Sequence, residues 1–155
     1  MDSVLEVLRH HNYADNVFLM CKFWKGNPKF EILERTIRDI CKKHHFNTLI
    51  ADDPIRPDLW DNVKAHMLAS SLGIAIFDKM DQQAPSVNVF IESGFMLGRG
   101  KDVLFLVEDT VPLPVDYGGK IVRRFDGSDS QTVRLSIEQE LDSWLGSKRR
   151  RNFGR

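Results

Sequence analysis

Four short runs of nearly unbroken hydrophobicity constrain the fold more than any other feature: Val17-Phe18-Leu19-Met20-Cys21, Thr48-Leu49-Ile50-Ala51, Leu72-Gly73-Ile74-Ala75-Ile76-Phe77 and Val103-Leu104-Phe105-Leu106-Val107. A strand with one wet face alternates polar and apolar residues, whereas a strand that is apolar throughout must be covered on both faces. The segments between the runs have helical spacing. After Asn27-Pro28, a capping side chain followed by a first-turn proline, Phe30, Leu33, Ile37, Ile40 and Cys41 form a stripe reaching about His45. Pro57 opens a second helix on Trp60, Val63 and Met67 that continues to about Ser70, and Val87 to Leu97 reads as a third, ended by Gly98 and Gly100. The last runs from about Ser130 to Leu145 on Val133, Ile137, Leu141 and Trp144, after a shorter, more polar edge strand from Lys120 to Phe125. Strands alternating with helices predict right-handed βαβ units: a doubly wound, flavodoxin-like α/β fold with a parallel sheet of about five strands and helices on both faces.

The chain has 155 residues, enough for one domain with one good core. That domain is expected over residues 1–147, with the basic run Lys148-Arg149-Arg150-Arg151 opening a solvated, disordered tail over 148–155. The 22 basic and 22 acidic residues cancel, so the charge balance favours neither nucleic acid nor a membrane surface as partner. The N-terminal stretch carries acidic residues early and has no long apolar core, unlike a secretory signal, and no run reaches membrane-spanning length. Cys21 and Cys41 read as buried thiols of a reducing compartment, and a cytoplasmic location is expected.

In such a sheet the ligand crevice lies outside the carboxyl ends of the strands. The turns that matter are therefore Lys22 to Asn27, Asp52 to Arg56, Asp78 to Asn88 and Glu108 to Asp116. No GxGxxG follows the first strand and no GxxxxGK[ST] or GxSxG occurs, which disfavours a dinucleotide cofactor, a P-loop and a nucleophile elbow. The histidine pairs His10-His11 and His44-His45 and the lone His66 lie in surface segments without a ligand-spaced partner, so no metal is expected. One carboxylate stands out. Glu92 sits among apolar residues of a helix that starts at the ligand edge, and Asn88 lies one turn earlier on the same face. The competing reading is a solvent-facing glutamate paired with Arg99 or Lys101.

Other residues complete the candidate crevice. Lys22, Phe23, Trp24 and Lys25 offer aromatic faces for a base and cations for a pyrophosphate, although Phe23 and Trp24 equally suit packing under the first helix. Arg56 stands between two prolines, placed to reach phosphate or to mediate assembly, and Asp78 is suited to ribose hydroxyls or to capping a turn.

The stretch from Asn88-Val89-Phe90-Ile91-Glu92-Ser93-Gly94 through Gly98-Arg99-Gly100-Lys101, the strand Val103 to Leu106 and then Leu113-Pro114-Val115-Asp116-Tyr117-Gly118-Gly119 resembles the bacterial TIR-like predicted nucleotide-binding domains. A wider resemblance joins TIR domains to the nucleoside 2-deoxyribosyltransferases, which also place a glutamate on the helix after the third strand. In deoxyribosyltransferases an acidic residue precedes that glutamate, where this chain has Ser86 or its neighbours. The resemblance implies N-glycosidic chemistry at Glu92, with NAD as substrate rather than cofactor, cleaved to nicotinamide and linear or cyclised ADP-ribose. It further implies a homo-oligomer, a separate sensor or activator protein and a role in antiphage defence or signalling. Asp116 is expected to shape its loop. The alternatives are a nucleoside or nucleotide N-glycosidase or 2-deoxyribosyltransferase, and a non-catalytic nucleotide-sensing assembly domain.

Overall fold

The computed structural model describes residues 2–22, 26–51, 58–79, 86–113 and 121–153. In chain order these form α1 (Asp2–Leu8), a 3-10 turn (Tyr13–Asp15), β1 (Asn16–Met20), α2 (Pro28–Lys43), β2 (Asn47–Leu49), α3 (Leu59–Leu68), β3 (Leu72–Phe77), α4 (Val87–Gly98), β4 (Asp102–Glu108), β5 (Ile121–Phe125) and α5 (Ser130–Phe153). The five strands make one sheet in the order β2-β1-β3-β4-β5, every pair parallel. This is the flavodoxin-like order, in which the winding direction reverses between β1 and β3.

Alternation along the strands feeds two separate cores. Val17, Leu19, Ile74, Ile76, Leu104 and Leu106 meet Leu33 and Ile37 of α2 and Val133, Ile137 and Leu141 of α5. Phe18, Met20, Ala75, Phe77, Phe105 and Val107 meet Val7 of α1, Val63 and Met67 of α3, and Val89 and Met96 of α4. The apolar runs are thus buried on both faces, as their composition requires. No helix among the described residues is long and apolar enough to cross a membrane.

Local chemistry explains where the elements stop. Asn27 caps α2 by accepting from the amides of Lys29 and Phe30 at 3.0 and 3.2 Å. Gly100, at φ +71°, takes the left-handed turn that ends α4, and Lys101 N then reaches back to the Met96 carbonyl at 3.1 Å. β2 is shorter than the run Thr48–Ala51 suggests, because the Ala51 carbonyl is taken by the Asn62 side chain at 2.8 Å rather than by a neighbouring strand.

Three further expectations are corrected. α3 is opened by the Asp58 side chain, which accepts from Asp61 N at 2.8 Å, and Trp60 in its first turn is 45% exposed; the buried face is carried by Asn62, Val63, His66 and Met67. His66 is therefore a core residue, with Nδ1 2.9 Å from the Asn62 carbonyl. The basic run does not open a loose tail at 148: α5 continues to Phe153, Lys148 is 7% exposed and paired with Asp102 at 2.5 Å, and Arg149 pairs with Asp15 while lying over the Phe46 ring. Two acceptors contributed from distant parts of the chain turn a formal charge run into packing.

At the amino edge of the sheet Lys101 closes the end of α3, donating to the carbonyls of Met67 at 2.7 Å, Leu68 at 3.2 Å and Ser70 at 2.5 Å. Helix ends leave carbonyls without intrahelical donors, and hydrogen bonds from a charged group contribute more than neutral ones. Lys101→Met keeps most of the side-chain volume and removes every one of these donors. It is expected to lower the unfolding free energy by about 2 to 3 kcal/mol in urea titrations.

Candidate functional site

In a sheet of this order a ligand crevice is expected at the switch between β1 and β3, and α4 packs on β3, β4 and β1 beside it. Val89, Ser93 and Met96 bury one stripe of α4 against the sheet. The Phe90 ring lies 4.5 Å, centroid to centroid, from that of Phe77, which anchors the first turns of α4 at the carboxyl end of β3. Glu92 adjoins the buried stripe, half-buried, while Asn88 one turn earlier is exposed.

Glu92 makes no hydrogen bond or ion pair with another described residue. Neither cation of the competing reading holds it: Lys101 donates to the carbonyls at the end of α3, and no ion pair joins Arg99 to Glu92 among the described residues. Burial without compensation raises its pKa from 4.5 to about 7.

Cys21, buried just beyond β1, reports what surrounds it. Burial is the first cause that pushes its thiol pKa up, and the negative charges of Glu34, Glu92 and Asp78 follow, partly offset by Arg38. Glu92 from α4 and Asp78 from the end of β3 therefore both act on the carboxyl end of β1. Asp78 and Lys22 are half-buried at this edge, each with other interactions. Phe23, Trp24, Lys25 and Arg56 lie outside the described residues, as does Asp116. Among the described residues no group of three or more His, Cys, Asp or Glu is placed to hold a metal ion.

Sequence reasoning overlooked Glu108. This last residue of β4 is 3% exposed and pairs with Lys29 at 2.6 Å and with the Lys79 main-chain N–H at 2.8 Å. The available signal was a charge ending an otherwise apolar strand, in a turn already marked as part of the crevice. Away from this edge, a shallow groove between α2 and α5 is lined by Asp39, Lys43, Glu138 and Asp142 and contains no candidate residue. Lys43 and His44 both meet Asp142 there, at 2.6 and 2.9 Å, so His44 has a carboxylate partner that its sequence neighbourhood does not show.

No protein-family model and no curated protein matches the sequence. Solved structures do match the fold. A CMP N-glycosidase from Clostridium botulinum superposes with a TM-score of 0.58 at 17% identity, over 83% of this chain and 98% of its own. The 2-deoxyribosyltransferase of Bacillus psychrosaccharolyticus follows with a TM-score of 0.52 at 12% identity, over 81% of this chain and 95% of its own. The Vibrio vulnificus NanR protein complexed with ManNAc-6P reaches 0.50 at 11% identity, over 95% of this chain but 53% of its own. The fold is thus similar to that of a nucleotide N-glycosidase and a nucleoside 2-deoxyribosyltransferase.

A raised carboxyl pKa means that the folded chain holds this proton more tightly than the unfolded chain does. Stability therefore falls as pH rises from about 4.5 to about 7, and above that window the ionised carboxylate burdens the fold. Glu92→Gln removes the burden. The variant is expected to exceed the wild type by about 1 to 3 kcal/mol in urea titrations at about pH 8, the lower end allowing for water around a half-buried group, and to match it below about pH 4.5.

Proposed function

We propose that this chain breaks the N-glycosidic bond of a nucleoside or nucleotide, with Glu92 as the carboxylate that acts at the anomeric carbon. The observation that carries the reading is a half-buried carboxyl without a partner among the described residues, pKa about 7, beside the switch point of the sheet. The likeness to a CMP N-glycosidase and a 2-deoxyribosyltransferase supports this bond as the target.

The chemistry suits the group. As the C–N bond breaks, its electron pair leaves with the base and positive charge develops on the sugar. A carboxylate without a competing cation stabilises that charge, or forms a covalent glycosyl bond that water or the nitrogen of an acceptor base then cleaves. Asp78 is proposed to bind ribose hydroxyls, Asn88 to orient the sugar or the carboxylate, and Lys22 to meet phosphate. Phe23, Trp24, Lys25 and Arg56 keep their proposed roles in binding base and phosphate.

NAD is a second reading, favoured by the sequence pattern from Asn88 to Lys101. Leaving groups separate the two. Nicotinamide departs from NAD as a neutral base and needs no proton, so kcat/KM is expected to rise through about pH 7 to a plateau as Glu92 ionises. A cytosine leaving group requires protonation, which bends the profile down again at higher pH. Assembly belongs to the same proposal: if a second copy closes the crevice, specific activity rises with protein concentration.

The deciding experiment incubates the protein with CMP, other nucleoside monophosphates, deoxynucleosides and NAD, and follows free base by chromatography. Base release from a nucleotide or nucleoside is expected, and Glu92→Gln is expected to reduce it at least about a hundredfold while the circular dichroism spectrum is unchanged. Asn88→Ala is expected to cost less. Binding of these compounds without base release would instead favour a nucleotide-sensing domain, and unchanged turnover in a folded Glu92→Gln protein would remove the glutamate from the mechanism.

A further inference from the structure

We infer that Glu108 is a positioning residue: its buried carboxylate latches together the segments that set Asp78 at the crevice. The inference rests on the glycosidic reading above. Along β4 the residues Leu104, Leu106 and Glu108 alternate with Val103, Phe105 and Val107, so the glutamate ends the row that packs toward α2 and α5. A carboxylate in that row, 3% exposed, is tolerated only where partners replace its water.

Both of its oxygens are engaged, and the two partners belong to different segments. Oε1 accepts from Lys29 Nζ at 2.6 Å, in the first turn of α2, just after the Asn27 cap. Oε2 accepts from the main-chain N–H of Lys79 at 2.8 Å, and Lys79 directly follows Asp78. The Glu108 carbonyl also accepts from Val111 N at 3.0 Å and from Arg124 Nη1 at 3.4 Å, which fixes the exit of β4. A fourth segment is shaped to fit. At Gly127, in the turn before α5, a Cβ would lie 1.9 Å from Oε1 of Glu108 and 2.6 Å from Lys29 Nζ, so only glycine leaves the carboxylate where it is.

The contact with Lys79 makes this more than a stabilising ion pair. A side chain that holds a main-chain N–H fixes a point on the backbone, here the peptide adjacent to Asp78 and the start of the connection that leads to α4 and Glu92. An apolar replacement would fill the space yet leave that N–H without its acceptor and the start of the connection free to shift. Displacement of a binding group by about 1 Å lowers turnover on the order of a hundredfold, so a hidden carboxylate can govern a site it never touches.

The test combines kinetics with amide exchange. In folded protein, Glu108→Leu, which leaves the Lys79 N–H without its acceptor, is expected to lower kcat/KM for base release about tenfold and to leave the pH midpoint set by Glu92 unchanged. It is expected to add nothing to Asp78→Asn in a double-mutant cycle, because both changes disable the same contact. Gly127→Ala, which displaces the carboxylate without removing it, is expected to show the same pattern and serves if Glu108→Leu does not fold. Fully additive losses, or wild-type kinetics in both folded variants, overturn the inference. If the wild type releases no base, the glycosidic reading fails and amide exchange decides for the latch alone. A Lys79 N–H protected in the wild type and exchanging freely in the variants supports the latch; one already unprotected in the wild type overturns it.

Discussion

Everything in this molecule follows from a sheet that must be dry on both faces. The central strands β1, β3 and β4 send alternate side chains into two cores, so helices must cover both sides and the chain must wind in opposite senses from the centre outward. That reversal leaves one place, between β1 and β3, where neighbouring connections part and polar groups reach the sheet edge without crossing a hydrophobic layer. Cys21 lies at this place just beyond β1, and the charges of Asp78 at the end of β3 and of Glu92 on α4 both act on it.

Two glutamates near this edge show how surroundings decide the fate of one chemical group. Glu108 is the more deeply buried, yet a lysine and a backbone amide accompany it and bind three segments into one unit. Glu92 is less buried but has no such company among the described residues, and it holds its proton toward neutral pH. A protein gains cohesion from the first arrangement and bears a cost for the second. The proposed role of Glu92 at the anomeric carbon gives that cost a purpose.

The architecture was legible in the sequence because continuous apolar runs and helical stripes are local signals: β3 coincides with its run, and β1 and β4 differ from theirs by a residue or so at the ends. The misplacements share a different origin. Trp60 lies on the right face of α3, but in a first turn where it remains largely exposed. Lys148 and Arg149 look like a solvated run until Asp102 and Asp15 are brought beside them from 46 and 134 residues away. Glu108 escaped notice for the same reason, since Lys29 is 79 positions distant and the Lys79 donor belongs to the main chain. Glu92 stood out in the sequence as a charge within an apolar helix, but its lack of a partner among the described residues emerges only once Lys101 is found turned toward the end of α3.

The length of α5 carries a practical consequence. Its 24 residues extend about 36 Å, roughly twice the height of the sheet, starting beside the carboxyl edge just after β5 and finishing beyond the amino edge, where Lys148 and Arg149 fasten it. The helix is a strut that directs the chain away from the crevice. A surface, bead or fluorescent carrier attached beyond Phe153 would therefore hold the molecule with its open edge facing solution, which suits immobilised formats for measuring how small molecules enter and leave.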